Sequence, residues 1–170
     1  MQREEEKQGK KVAIAIITFS ICAALGILPI ELIAPTIALL FPNTLFIFLG
    51  ISLLQVIHVT AMILSIATIL QYGGGRKFLE RGRVGRALVR LLEHREVNKL
   101  HGIKWVLYEI KFHTLLVMYS IIPLTRKISE ARCALYPKPL AIGAVCLGSI
   151  IKVYLLIYPV RLGWKLLIGN

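Results

Sequence analysis

Four apolar stretches alternate with charged ones along the chain, and two of the four are broken by prolines. Residues 44–71 form the cleanest, 28 positions without Asp, Glu, Lys or Arg. At about 1.5 Å per residue they exceed the roughly 30 Å of a hydrocarbon core, so the pattern predicts a spanning helix. Residues 12–41 are equally apolar but carry Pro29, Glu31 and Pro35 close together. Polarity then switches: residues 72–104 hold nine Lys or Arg among 33 positions. Within them Val84, Leu88, Leu91 and Leu92 recur at helical spacing, with Arg83, Arg86, Arg90 and Arg95 on the other side. That pattern predicts an amphipathic helix over 83–98, lying at a membrane interface or solvated beside it. Residues 105–123 are apolar with Glu109, Lys111 and His113 in their first half, leaving 112–122 too short to cross. Residues 125–138 are polar and helical in pattern until Pro137, and 139–158 give a second apolar run interrupted only by Lys152.

Composition agrees with the pattern. The 170 residues are 56% hydrophobic with a mean hydropathy of +0.72, too apolar for a soluble domain of ordinary surface. The expectation is a multi-pass integral protein of the cell membrane. The N-terminal apolar run is too long for a signal-peptide core. Charge is lopsided, 21 Lys and Arg against nine Glu and no Asp. In a membrane protein such an excess belongs to cytoplasmic loops and anionic headgroups, and no soluble module remains to bind nucleic acid. Cys22, Cys133 and Cys146 fit no metal spacing. No Ser/His/Asp set, Cys/His set or carboxylate pair points to an enzyme, and no cofactor is expected.

The two halves invite comparison. Each has a proline-broken apolar segment followed by a full span, 12–41 then 44–71, and 112–137 then 139–158. Paired broken segments are the sequence mark of inverted-repeat transporters. Proline lacks an N–H, so helix bonds open at Pro29, Pro35 and Pro123. Backbone opened at depth survives only inside protein or beside a wet cavity, and an ionisable residue beside it is a functional candidate. Glu31 and Arg126 are those residues here, and the reading brings them together at the bilayer midplane. The bland reading is a kinked ordinary helix with Glu31 at headgroup level. Lys152 either snorkels to an interface or faces the cavity. Arg132 is placed to join Arg126 there. His58 and His113 read as buried, hydrogen-bonded histidines, and Glu109 stands four residues before His113, within reach on a helix.

Three motifs in order give a resemblance. Pro29-Ile30-Glu31, then Tyr72-Gly73-Gly74-Gly75-Arg76, then Ile122-Pro123-Leu124-Thr125-Arg126 are followed by Pro139-Leu140, Gly143 and Gly148. Over residues 20–160 the chain resembles the DedA/VTT (SNARE-associated) superfamily, matching its P-x-E, Y-x-x-G-R and I-P-G-x-R motifs. It departs at Ser120, where that family carries Arg, at Leu124 for Gly, and in having Gln55 and His58 where an acidic residue is expected. The resemblance implies lipid transport, of a phospholipid or a polyprenyl phosphate, between leaflets. Arg126 would meet the phosphate and Glu31 would carry a coupling proton.

The expectation is therefore an all-α membrane protein. A charged lead (1–11), expected to be mobile, precedes a first half (12–71). A basic connector (72–104) joins that to the second half (105–170). Each half has a re-entrant hairpin and a spanning helix in an inverted-repeat-like arrangement. The site residues are Pro29, Glu31, Pro123, Arg126, Arg132 and Lys152, with Arg76, Arg83, Arg86 and Arg90 on lipid headgroups. Partners are membrane lipids, with homo-oligomers allowed. The alternatives are an accessory or scaffold subunit of a membrane complex, or a small-cation exporter.

Overall fold

The computed structural model describes residues 2–25, 30–40, 43–72, 102–122, 125–135 and 137–168. The expectations for Pro29, Pro123, Arg76, Arg83, Arg86, Arg90 and the helix over 83–98 lie outside the described residues, as does the side chain of Glu31. The described residues form six helices and no strand: α1 (Gln2–Leu25), α2 (Ile30–Leu40), α3 (Thr44–Tyr72), α4 (Ile103–Ile121), α5 (Arg126–Leu135) and α6 (Pro139–Ile168).

Local chemistry sets the boundaries. Asn43 caps α3, its Oδ1 accepting from Phe46 N at 3.1 Å. Gly102 enters α4 at φ 63°, a left-handed conformation that glycine adopts without penalty. α5 stops at Leu135 because Pro137 and Pro139 follow, and Pro139 opens α6, where its missing N–H costs nothing. The charged lead is helical. It is the first part of α1, with Lys10 Nζ on Glu6 Oε1 at 2.7 Å one turn earlier. Helix α6 runs ten residues beyond the expected end at 158, continuing through Pro159 as far as Ile168.

Two helices, α3 and α6, are long and apolar enough to cross a membrane. They pack antiparallel. Arg161 Nε donates to Thr44 Oγ1 at 2.6 Å, Phe48 meets Tyr154 edge-on at 6.1 Å, and Thr60 Oγ1 lies 3.5 Å from Cys146 Sγ. We call the end with Tyr72 and Pro139 the lower face and the end with Thr44 and Arg161 the upper. Helix α1 is antiparallel to α3: Lys11 sits 5.7 Å over the Tyr72 ring, while Ala15 and Thr18 share a groove with Ala61, Leu64 and Thr68. Ala34 and Ala38 of α2 are fully buried in a cluster with Ile47, Ile51, Val153 and Ile157 in the upper half. Only residues 41–43 join α2 to α3, so α2 also runs antiparallel to α3, in the same sense as α1.

The second half has the opposite habit. Lys138 reaches Glu109 and Ser120 abuts Gly148, so α4 rises parallel to α6. Helix α5 turns back down, burying Cys133 and Ala134 with Ile63, Ala67, Phe112 and Ala141. In each half the short helix packs on the other half's long one, α2 on α6 and α5 on α3. Outside these contacts the long helices are bare: Phe46, Leu53, Leu54, Leu140 and Leu147 are among many exposed large apolar side chains.

Candidate functional site

The turn between α4 and α5 sits half-way up the molecule. Ser120 lies against Gly148, the middle of the apolar run 139–158, and the charged groups nearest His58, at the centre of α3, are Arg126, Lys127 and Glu130. Reversing a helix there frees its last carbonyls, and the Thr125 hydroxyl takes up one of them. Thr125 Oγ1 donates to Tyr119 O at 3.0 Å, and the backbone N–H groups of Thr125 and Arg126 both reach Ile122 O. Ser120 Oγ and Ser129 Oγ lie 2.7 and 3.0 Å from Leu116 O and 2.9 Å from each other. Each hydroxyl has one hydrogen, so two of those three contacts form at once. Both serines are fully buried.

Beside the turn lies a compact charge cluster. Glu130 is 1% exposed and is held from two sides. Arg126 Nε donates to its Oε1 at 2.7 Å and Lys127 Nζ to its Oε2 at 2.9 Å. The Arg126 side chain is 12% exposed, whereas that of Lys127 is 61% exposed. The inner pair therefore carries the electrostatics, and the outer cation lies open at the surface of the bundle. The result is one buried carboxylate facing two cations, a net positive charge at mid-depth.

Above the cluster the polar lining continues. Ser52 and Gln55 of α3 stand level with Ser149 and Lys152 of α6. Ser52 Oγ and Gln55 Oε1 are buried without a hydrogen-bond partner. Lys152 is only 5% exposed, so it is packed inside the bundle and does not snorkel. Glu31 lies in the first turn of α2, one turn before buried Ala34, which brings its backbone to the same level. Pro35 is inside α2 and has no N–H to offer the Glu31 carbonyl.

The structure brings Arg126 and Lys152 to the buried mid-level layer but sends Arg132 elsewhere. Arg132 stacks its guanidinium 5.0 Å from the Phe112 ring on α4, and its Nε has no hydrogen-bond partner. What sequence reasoning missed is Glu130. Its place four residues after Arg126 was the available signal, since i,i+4 pairs share a helix face. His113 is hydrogen-bonded as expected, its Nδ1 2.7 Å from Glu109 O. No group of three metal-ligating side chains occurs among the described residues. Comparisons with protein-family models, curated proteins and solved structures found no match to this chain.

Proposed function

We propose that this chain is a multi-pass membrane protein that moves a phosphate-bearing lipid between leaflets, in line with its resemblance to the DedA/VTT superfamily. On this reading the first half crosses the bilayer as one broken helix, α1 then α2, since both run in the same sense. The second half dips in from the lower face and returns, with α4 and α5 as a re-entrant hairpin. The observation that carries the proposal is the buried Arg126–Glu130 pair, with the more exposed Lys127 beside it, at the α4–α5 turn half-way along both long helices. Charge at that depth is costly and is kept where it serves a cargo or an ion. Arginine suits the cargo, because its planar fork binds phosphate oxygens in pairs. Lys152 adds a second buried cation, and the unpartnered oxygens of Ser52 and Gln55 offer acceptors to a hydrated headgroup. Glu130 occupies the cations when no cargo is present, so a phosphate enters by displacing a carboxylate instead of meeting bare charge.

The test is leaflet exchange in liposomes carrying a fluorescent phospholipid or a polyprenyl phosphate. The native chain should accelerate exchange. Arg126→Ala and Glu31→Gln should lose it while circular dichroism and size exclusion stay unchanged. No acceleration with either lipid would sink the proposal. One observation favours a second reading, a scaffold subunit: Arg126 already has a partner within its own helix. A scaffold predicts no exchange by the native chain, and for Arg126→Ala only the loss of stability that stranding Glu130 brings.

A further inference from the structure

At the lower face, a groove of about 460 Å³ opens between the start of α4 and the start of α6, separate from the mid-level site. Its walls are apolar, with Trp105, Ile110 and Leu140, and its polar groups are Glu109, His113, Thr114 and Lys138. Lys138 Nζ lies 3.8 Å from Glu109 Oε1, an ion pair too long for a hydrogen bond. Glu109 is 15% exposed and Lys138 59%, so the carboxylate sits deep and the ammonium at the mouth.

His113 fixes the chemistry. Its Nδ1 lies 2.7 Å from the Glu109 backbone carbonyl, which can only accept, so Nδ1 carries the hydrogen. In the neutral ring Nε2 is then an acceptor, and it is buried with no partner. The inner end of the groove therefore presents a carboxylate and an imidazole nitrogen, and the outer end a cation. A headgroup that matches has a cationic N–H donor to place inside and an anion to place outside, joined by a short linker. We infer that this groove binds a zwitterionic phospholipid with a primary ammonium, of the phosphatidylethanolamine class. Its ammonium would lie on Glu109 and His113 and its phosphate on Lys138.

The depth fits. Lys138 precedes the apolar run of α6 by one residue, the level of the lipid phosphates, and Trp105 stands where aromatic belts form. The walls then receive the first acyl carbons. A choline headgroup matches less well, because a quaternary ammonium has no N–H for Nε2, and one tryptophan does not make the aromatic box that such ions need. The inference does not depend on the transport reading, and its test reads binding alone.

The chain has two tryptophans, Trp105 and Trp164, so Trp164→Phe leaves a reporter inside the groove. That variant is placed in vesicles where phospholipids with brominated chains replace ordinary ones, and quenching of Trp105 is followed. Brominated phosphatidylethanolamine should quench at a several-fold lower mole fraction than brominated phosphatidylcholine. Glu109→Gln and His113→Phe, each in the Trp164→Phe background, should abolish that preference while leaving quenching itself intact, which also reports that Trp105 still faces lipid. Equal quenching by the two lipids, or stronger quenching by brominated phosphatidylglycerol than by phosphatidylethanolamine, would overturn the inference. A preference that survives both substitutions would overturn it as well.

Discussion

Glu130 is the residue on which two opposing electrostatic effects can be weighed. Its carboxylate is almost fully removed from solvent, with a buried arginine on one oxygen and a largely exposed lysine on the other. Removing one member of a buried pair strands its partner, which costs about 3–5 kcal/mol, whereas an exposed pair contributes about 0–1 kcal/mol. Glu130→Ala should therefore lower stability by about 3 kcal/mol or more, Arg126→Ala by a similar amount, and Lys127→Ala by less than about 1 kcal/mol. Chemical unfolding in detergent, followed by circular dichroism, checks the order. Equal losses for Lys127→Ala and Arg126→Ala would mean that burial does not set the strength of these pairs. Glu130→Gln keeps the shape and removes the charge. Under the transport reading it frees two cations, so lipid phosphate should bind more tightly and leave more slowly. Cys133 supplies a control on the same helix: it is 0% exposed and should resist maleimide in the folded chain.

At the scale of elements, the α4–α6 contact depends on one glycine. A methyl group at Gly148 would stand 2.5 Å from the Val117 carbonyl oxygen and 2.7 Å from Ser120 Cβ. Neither atom can yield without moving the α4 backbone. Gly148→Ala should thus cost about 1–3 kcal/mol by overpacking and loosen the hairpin turn, while Gly143→Ala, with nothing within 4 Å, should be tolerated. Thermal unfolding of the two variants side by side gives the comparison. The elements were largely legible in the sequence. The run 44–71 became α3, 139–158 became the core of α6, and Pro137 closed α5, because unbroken apolar runs and prolines act locally. The direction of each broken segment was not legible. Reversal needs groups to take up the freed carbonyls, and Thr125 does so around the second break through Tyr119 O, while Ser120 and Ser129 tie α5 to α4 at Leu116 O. Between Leu25 and Ala34 the chain holds no Ser, Thr, Asn or Gln, and α1 and α2 keep one direction. The clamp on Glu130 was readable as i,i+4 spacing, but its burial arises from α5 packing on α3, which no local pattern encodes.

For the whole molecule, direction decides topology. If α1–α2, α3 and α6 each cross and α4–α5 turns back, the chain makes three crossings, with its start on the lower face and its end on the upper. The lower face then holds Lys7, Lys10 and Lys11, and the basic segment 73–101 leaves from and returns to it at Tyr72 and Gly102. The upper face has Arg161 and Lys165. The positive-inside rule puts the lower face in the cytoplasm. Four plain crossings would instead set the two ends on one side, and two re-entrant hairpins would part the start of the chain from the basic segment. Single cysteines separate the three cases. In a background with Cys22, Cys133 and Cys146 replaced by alanine, Gln8→Cys and Lys138→Cys should react with a membrane-impermeant maleimide from the cytoplasmic side. Leu167→Cys should react only from the other. Labelling of position 8 from outside and 138 from the cytoplasm would mean that α1–α2 also turns back. Labelling of position 138 from outside and 8 from the cytoplasm would mean that α4–α5 does not return to the face it leaves. The mid-level cluster would then no longer lie at the tip of a hairpin, and the transport reading would lose the geometry on which it rests.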